Sequence, residues 1–304
     1  MISQRLLRPQ LGLRAGASTR TLLSQTHGRE LHSVPKLTYY NIFKENGVPG
    51  MLSPSGFHMA WDQYQGYLVD KLNEMTAGKP DADVATGSLL TKYARDASNA
   101  SLFNYSSMAH NNHLFFNYLS PEPVEIPTKL LEAIDESCSS LESLKAEFLA
   151  TANAMFGPGF VWLVKRKDTA ELRILCTYIA GSPYPAAHCR LQPIDMATET
   201  TGIVSGEPYQ AVSKIANRTY GSMGRYSKAK PLAPGGADVH PILCVNTWEH
   251  VWLQDWGVGR KAQYLEAWWN SINWEAVAQT YQSIGPDNVM TRRKLPGAYA
   301  RAYA

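Results

Sequence analysis

Apolar residues recur at three- and four-residue spacing through the first half of the chain, a pattern typical of helices that bury one face. The pattern predicts helices over about Phe57 to Glu74, about Ser88 to Asn117 and about Lys129 to Phe156. Pro and Gly residues interrupt it between Gly47 and Gly56 and again between Pro121 and Pro127, where we expect loops. The first half is therefore predicted to be nearly all helical.

The second half changes to short runs rich in β-branched and aromatic residues. Two of these runs, Gly159 to Val164 and Glu171 to Ile179, flank the charged turn Lys165 to Ala170 and predict a hairpin. Ile242 to Val245 predicts a third strand, and helical spacing returns after it as far as about Ile284. This order indicates an α+β fold, in which a helical hairpin is followed by a three-stranded antiparallel sheet with flanking helices.

The stretch from Asn246 to Trp274 contains six of the eight tryptophans of the chain. Among these aromatic rings lie a carboxamide, Asn246, a carboxylate, Glu249, and an imidazole, His250. Polar groups surrounded by so much apolar surface need hydrogen-bond partners or a chemical role. Two interpretations stay open on this pattern alone: a hydrogen-bonded core histidine, or a metal site or the remains of one.

Composition places the chain among ordinary globular proteins, with 304 residues of which 44% are hydrophobic and 18% are charged. No apolar run approaches the roughly 20 residues that a membrane-spanning helix needs. The four cysteines, at positions 138, 176, 189 and 244, form no close pair, which favours free thiols in a reducing compartment over a disulfide framework. The net charge of +3 is too small to indicate a nucleic-acid partner by itself.

Residues 1–30 have the composition of a mitochondrial transit peptide. They contain five arginines, several leucines and hydroxyl residues, and no acidic residue before Glu30. The alternative is a basic arm that stays on the protein and binds an acidic partner. We expect the leader to be followed by a helical domain at 31–125, an α/β domain at 126–290 and a basic tail at 291–304.

Residues 184–240 interrupt the second half with many Pro, Gly, Ser and Thr and little apolar periodicity. A loop of this length in a compact domain usually binds a partner or is disordered, and both readings stay open here. Basic residues interleaved with tyrosines suit contact with phosphates and bases. The candidate contacts to RNA or to a ribosome are Arg190, Lys214, Arg218, Arg225, Lys228 and Lys230.

The C-terminal motifs resemble those of iron/manganese superoxide dismutases. The sequence has Trp248-Glu249-His250, then the helix Tyr264 to Asn270 and the run Ile272 to Val277, where the family has Asp-x-Trp-Glu-His followed by a similar helix. The resemblance covers about residues 32–183 and 241–284. It implies the fold of that family, whose metal is held by three His and one Asp. Asn246 stands where the family has the Asp ligand.

The resemblance also implies which ligand positions remain. A second family motif, His-x-Asn-His-x-x-Phe-(Trp/Phe)-x-x-Leu-Ser-Pro, matches the run from His110 to Pro121, and we expect His113 at the ligand position. His250 matches the fourth ligand. Ala60 stands at the first ligand position. We therefore interpret His113 and His250 as vestigial ligand positions and Ala60 and Asn246 as lost ones.

Residues around the ligands are also altered. Tyr64 replaces a second family histidine, Leu68 replaces a gateway tyrosine, and the solvent-binding side chain of the family falls near Gly181. We expect no metal, no cofactor and no catalysis. Glu249 and His250 remain, and in the family this pair crosses a two-fold dimer interface, so we expect pairing through that surface.

A mitochondrial chain with this fold, a lost metal site and a basic insertion is similar to the superoxide-dismutase-like proteins of the fungal mitochondrial small ribosomal subunit. That resemblance implies a structural role in the matrix. The implied partners are mitochondrial ribosomal proteins, one of them a related subunit that forms a pseudo-dimer, with ribosomal RNA as a further candidate. Two alternatives remain open: an active mitochondrial superoxide dismutase with an atypical metal site, and a metal-free binding protein outside the ribosome.

Overall fold

The computed structural model describes residues 32–94, 96–167, 169–184 and 239–284. The predicted leader, most of the 184–240 insertion and the basic tail therefore lie outside the described residues. The first half is helical. Its helices are α1 (Tyr40–Asn46), α2 (Pro54–Phe57), α3 (Tyr64–Thr76), α4 (Thr86–Tyr93), α5 (Ala100–Asn117), α6 (Thr128–Cys138) and α7 (Leu141–Ala154).

The first long helix starts earlier than its apolar spacing predicts. Pro54 occupies the first turn of α2, and the Ser53 hydroxyl caps that turn by accepting from the Gly56 N–H at 3.0 Å. A π-helical segment, His58–Gln63, joins α2 to α3 without a break. The predicted loop therefore ends at Ser53, and α1 lies in a stretch for which the apolar spacing predicts no helix.

The predicted helix over Lys129 to Phe156 is two helices. Ser139 ends α6 with φ of 70°, a left-handed conformation that cannot continue a helix. The Ser140 hydroxyl then caps α7 by accepting from the Ser143 N–H. Apolar spacing misses this break, because the buried faces of both helices pack into the same core.

The sheet consists of β1 (Gly159–Arg166), β2 (Leu172–Tyr178) and β3 (Val239–Asn246) in the order β2-β1-β3, all antiparallel. Central strand β1 is buried along nearly its whole length, which explains its continuous apolar run. The pairing of β1 with β3 shifts between Leu163 and Val164, opposite Pro241, which has no N–H to donate. The apolar pattern predicts the third strand only after this proline, whereas β3 extends to both sides of it.

Three helices complete the fold: α8 (Glu249–Trp256), α9 (Lys261–Asn270) and α10 (Trp274–Ser283). One apolar core joins both halves of the chain, with the Trp61, Trp162 and Trp268 side chains almost fully buried in it. Among the described residues, no helix combines the length and apolar character needed to cross a membrane. The α+β architecture, the hairpin and the three-stranded sheet are as the sequence predicts.

A partly buried carboxylate connects the start of α2 to α8. Asp255 of α8 accepts from the Ser53 N–H at 2.9 Å and from the Ser53 hydroxyl at 2.6 Å. Gly56 makes this approach possible, because a Cβ there would lie 2.1 Å from an Asp255 carboxylate oxygen. The contact holds the π-helical segment beside α8, where the candidate site lies.

Candidate functional site

His250 lies in the first turn of α8 with its ring against that of Tyr64 in α3, at 3.9 Å between ring centroids. Burial lowers the pKa of His250 to about 4, so the imidazole is neutral at physiological pH. Its Nε2 atom is buried and has no hydrogen-bond partner within the described ranges. Tyr64, which stands at a histidine position of the resemblance, thus stacks on the retained imidazole.

Asn246 ends β3 and is fully buried. Its Oδ1 accepts from the Trp248 N–H at 2.9 Å, and its Nδ2 donates to Oδ1 of Asn112 at 3.3 Å. The Tyr264 hydroxyl donates to the Asn246 carbonyl at 2.7 Å. Asn246 is therefore a hydrogen-bonded junction between β3, α5, α8 and α9.

Ala60 lies in the π-helical segment and is also fully buried. Asn112 Nδ2 donates to the Ala60 carbonyl at 3.2 Å and to Gln65 Oε1 at 3.0 Å. Gln65 Nε2 in turn donates to the Ala109 carbonyl at 3.0 Å. We call the three buried carboxamides of Gln65, Asn112 and Asn246 the carboxamide network. It connects Ala60 and Asn246, the positions that the resemblance assigns to lost ligands.

The geometry corrects the assignment of His113. Asn112 of α5 reaches Asn246, whereas His113 follows one residue later, roughly 100° around the helix. The His113 ring lies 6.1 Å from that of Trp61 and borders a different cavity, shared with His32. The vestigial ligand position in α5 is therefore Asn112.

A register error explains the wrong assignment. In the family motif the ligand His stands seven residues before the Leu of Leu-Ser-Pro, and three and four residues before two aromatic positions. Counting back from Leu119 gives Asn112, with Phe115 and Phe116 at the aromatic positions. His110 and His113 fit the histidines of the motif only in a register displaced by one residue from its Leu-Ser-Pro end. Gln65 carried no signal of its own in the sequence.

The outer positions are closed as well. Gly181 donates no side chain, and a Cβ there would lie 2.9 Å from Cβ of Thr177. The Gly181 carbonyl accepts from Asn111 Nδ2 at 2.9 Å. Leu68 at the gateway position is buried, and His58 faces outward to Asp62 at 2.9 Å. Neither Gly181 nor Leu68 has a polar side chain that could bind a solvent molecule.

The residues at the four ligand positions do not fit a metal. Ala60 has no donor atom on its side chain, the Asn112 and Asn246 carboxamides are bonded to each other, and His250 offers a single imidazole nitrogen. In the described parts of the chain, no group of three or more His, Cys, Asp or Glu side chains is arranged to hold a metal ion. A redox iron or manganese site would need several imidazole and carboxylate ligands.

Glu249 and His250 border an exposed apolar surface. Trp248 Nε1 donates to the Ile179 carbonyl at 3.3 Å, and the Ile179 N–H donates to the Pro158 carbonyl at 2.9 Å. These contacts bring the residue before α8 to Ile179, which directly follows β2 and is 60% exposed, and Ile179 to the loop before β1, where Phe156 is 96% exposed. The Glu249 carboxylate makes no hydrogen bond or ion pair among the residues that the structure describes.

A shallow cavity of about 220 Å³ opens on the same surface. Tyr67 and Tyr105 line it from α3 and α5, and their hydroxyls are 3.3 Å apart. Burial raises the pKa of Tyr64 beneath them to about 12, so its phenol is protonated at physiological pH. We call this area, from Tyr67 through Trp248 and Glu249 to Phe156, the aromatic surface.

The basic residues predicted to contact RNA or the ribosome all lie in the 184–240 insertion. Arg190, Lys214, Arg218, Arg225, Lys228 and Lys230 lie outside the described residues. The flanks of the insertion are described: Tyr184 and His240 are in edge-to-face contact, with their ring centroids 6.2 Å apart.

Sequence comparison agrees with the fold and the motifs. The family described as iron/manganese superoxide dismutases, C-terminal domain, matches residues 126–197 and 197–280, more than half of the chain. Small ribosomal subunit protein mS43 of Schizosaccharomyces pombe is 26% identical over 257 residues, covering 82% of this chain and 83% of that protein. Small ribosomal subunit protein mS42 of the same organism is 28% identical over 201 residues, covering 64% and 73%.

An iron superoxide dismutase of Escherichia coli K12 is 28% identical over 184 residues, covering 60% of this chain and 68% of the enzyme. The match thus extends to catalytic members of the fold as well as to proteins named as ribosomal. By its sequence match and by the architecture described above, the chain belongs to the iron/manganese superoxide dismutase family.

Proposed function

We propose that this chain is a structural, non-catalytic component of the mitochondrial small ribosomal subunit, located in the matrix and supporting mitochondrial translation. One observation carries the proposal: relatives named as small ribosomal subunit proteins align with most of the chain, up to 82% of it. The match to mS43 is longer and higher in identity than the match to an iron superoxide dismutase of Helicobacter pylori, which is 22% identical over 79% of this chain.

The candidate site supports the non-catalytic half of the proposal. One-electron cycling of iron or manganese requires a ligand set that keeps the metal bound in both oxidation states. Of the four ligand positions only His250 retains its ligand residue, and the buried amides of Asn112 and Asn246 bond to each other instead. A diffusing metal ion would have to break these hydrogen bonds to enter.

The aromatic surface supports pairing with a related superoxide-dismutase-like subunit. Glu249 and His250 directly follow Trp248, whose Nε1 donates to the Ile179 carbonyl, and the exposed large apolar side chains of the described residues include Phe156, Tyr178 and Ile179. Exposed apolar area of this kind marks contact sites between proteins. The pseudo-dimer partner would cover it and would supply the counterpart of the Glu249 carboxylate.

Sedimentation of a mitochondrial lysate tests the ribosomal role. We expect the chain to travel with the small-subunit ribosomal RNA in a sucrose gradient and to leave that fraction when the subunit is unfolded by removing magnesium. A chain that stays at the top of the gradient under all conditions would be a free protein, contrary to the proposal.

Metal analysis of the purified chain tests the non-catalytic role separately. We expect iron and manganese well below one atom per chain, and no dismutase activity after incubation with either metal. Near-stoichiometric iron or manganese would favour the alternative of an active dismutase with an atypical site.

A further inference from the structure

We propose that the carboxamide network has replaced the metal as the internal link between the two halves of the fold, and that it positions Glu249 and His250 for pairing. Its residues come from α3, α5 and the end of β3. Asn112 and Asn246 themselves stand at ligand positions of the family, and Asn112 bonds to the carbonyl of Ala60 at a third. Its pairing role rests on the proposed function, whereas its linking role does not.

The network runs in one direction, from a backbone donor to backbone acceptors. It begins at the Trp248 N–H, which Asn246 Oδ1 accepts, and it ends at the carbonyls of Ala60 and Ala109. Between these ends each carboxamide accepts with its oxygen and donates with its nitrogen. The fixed backbone groups therefore determine the orientation of every amide in the chain of bonds.

A carboxylate cannot replace an amide at Asn246. An aspartate oxygen would face Asn112 Oδ1, so two acceptors would meet in a fully buried place. Turning the Asn112 amide over would relieve this contact but would point its oxygen at the Ala60 carbonyl and at Gln65 Oε1. The residue that ligates metal in the family is thus the residue that this network excludes.

The network also fixes the start of α8. Glu249 is the first residue of that helix, and Trp248 directly precedes it. The Trp248 N–H donates to the Asn246 side chain. The Asn246 carbonyl is held in turn by the Tyr264 hydroxyl. Loosening Asn246 would therefore loosen the turn that presents Glu249 and His250 on the aromatic surface.

A double-mutant cycle in the full chain tests the link. Asn112→Ala and Asn246→Ala should each lower Tm, by roughly 4–10 °C, because each leaves buried polar groups unpaired. The double variant should lose clearly less than the sum of the two single losses, because each single variant already breaks the shared bond. Additive losses would show that the two amides do not act together and would overturn the linking role.

Asn246→Asp tests the replacement of the metal, with Asn41→Asp as the control on the exposed first turn of α1. We expect Asn246→Asp to lower Tm and Asn41→Asp to leave it within about 2 °C. Manganese(II) or iron(II) present during refolding should not recover the loss. Stoichiometric metal uptake that restores Tm would mean that the site still fits a metal, and the proposal would be wrong.

The positioning role is tested by comparing Asn246→Ala with a variant that is destabilised to a similar extent outside the network. Ile134→Ala creates a cavity in α6, which packs on β2 and α7, and should lower Tm to a comparable extent. At a temperature where both variants are folded, Asn246→Ala should weaken capture of the partner subunit at least tenfold more than Ile134→Ala. If both variants captured the partner subunit equally, the carboxamide network would not position Glu249 and His250 for pairing. The Tm results on the isolated chain would still decide whether the network links the two halves of the fold.

Discussion

At position 246, asparagine has an NH2 group where aspartate has a second carboxylate oxygen. That difference decides which chemistry the buried site can support. An aspartate would bring negative charge to balance a metal ion, whereas the Asn246 amide brings a donor that Asn112 accepts at 3.3 Å. Burying an unpaired charge costs far more than burying a bonded amide. The neutral His250 beside Tyr64 fits the same uncharged interior.

Restoring two ligand residues should not restore dismutase activity. The double variant Ala60→His, Asn246→Asp would still present Asn112 at the second ligand position and no side chain at Gly181. We expect activity indistinguishable from that of the unaltered chain in a superoxide-consumption assay with added manganese or iron. An iron superoxide dismutase assayed in parallel serves as the positive control, and robust activity of the double variant would contradict this account of the site.

Glu249→Ala should weaken pairing sharply. A charged pair buried across an interface leaves one uncompensated charge when its partner is removed, at a cost of about 3–5 kcal/mol, which corresponds to a loss of affinity on the order of 100-fold or more. Pull-down of the related subunit measures the effect. Glu275→Ala is a matched control, because this exposed glutamate lies in the first turn of α10 as Glu249 does in α8. Intact pairing of the Glu249→Ala chain would exclude the buried pair.

At the scale of elements, a buried lysine connects the sheet to the last helix. Lys165 of β1 is 6% exposed and donates to the carbonyls of Tyr281 and Ile284, both at 2.8 Å. Its Nζ also lies 3.9 Å from the centroid of the Tyr281 ring. The charge therefore meets the negative end of the α10 dipole, which is where a cation stabilises a helix.

Lys165→Met should lower the free energy of unfolding by about 1–3 kcal/mol, because the two carbonyls lose a charged donor while the apolar length of the side chain is kept. Chemical denaturation measures this change. Lys129→Met, at an exposed position of α6, should change it by less than about 0.5 kcal/mol. Equal stability of the Lys165→Met chain would mean that the bonds of Lys165 only offset the cost of burying its charge.

The sequence predicts whole elements better than it predicts their ends and their registers. Apolar spacing identifies the α3 and α5 helices and the three strands, because burial of one face or of a central strand leaves a periodic signature. The break at Ser139 depends on one left-handed residue between two buried faces, which has no periodic signature. The sequence places the α5 ligand position at His113, one residue from Asn112, and in a helix one residue turns the side chain roughly 100° away from the site.

At the scale of the whole molecule, residues 1–30 are proposed to direct import and to be absent from the mature protein. Five arginines without an acid before Glu30 favour a cleaved mitochondrial leader. Two hydrogen bonds join the chain to α3 soon after this point: the His32 N–H donates to Asn73 Oδ1 at 2.8 Å, and Asn73 Nδ2 donates to the His32 carbonyl at 3.0 Å. Sequencing the N-terminus of the mitochondrial protein checks the proposal, which a start at Met1 or Ile2 would contradict.

The flanks of the insertion meet on a different side of α5 from the aromatic surface. His110 Nε2 is 2.9 Å from the Tyr184 hydroxyl, and Tyr184 contacts the ring of His240. Met108, which lines the cavity of the aromatic surface, lies two residues before His110 on α5 and so roughly 200° around that helix. The insertion therefore leaves and re-enters the fold on the side away from the proposed partner.

Because of this separation, we predict that pairing and attachment to the ribosome can be lost independently. Replacing residues 186–238 by a short Gly-Ser linker should leave capture of the partner subunit unchanged and should weaken association with the small subunit. Phosphate contacts release counterions, so association of the intact chain should fall as salt rises. The matched variant keeps the length of the insertion and neutralises its six basic residues, Arg190, Lys214, Arg218, Arg225, Lys228 and Lys230.

The neutralised variant separates charge from loop length. We expect its binding to the small subunit to depend less on salt than that of the intact chain, because fewer counterions are released. Co-sedimentation from about 50 to 200 mM salt measures this. The slope of log affinity against log salt concentration should fall by about one unit per lost phosphate contact. The linker variant should show the same flattening. If both variants retain the affinity and the salt dependence of the intact chain, the insertion does not contact ribosomal RNA, and the attachment must come from the surfaces of the folded domain.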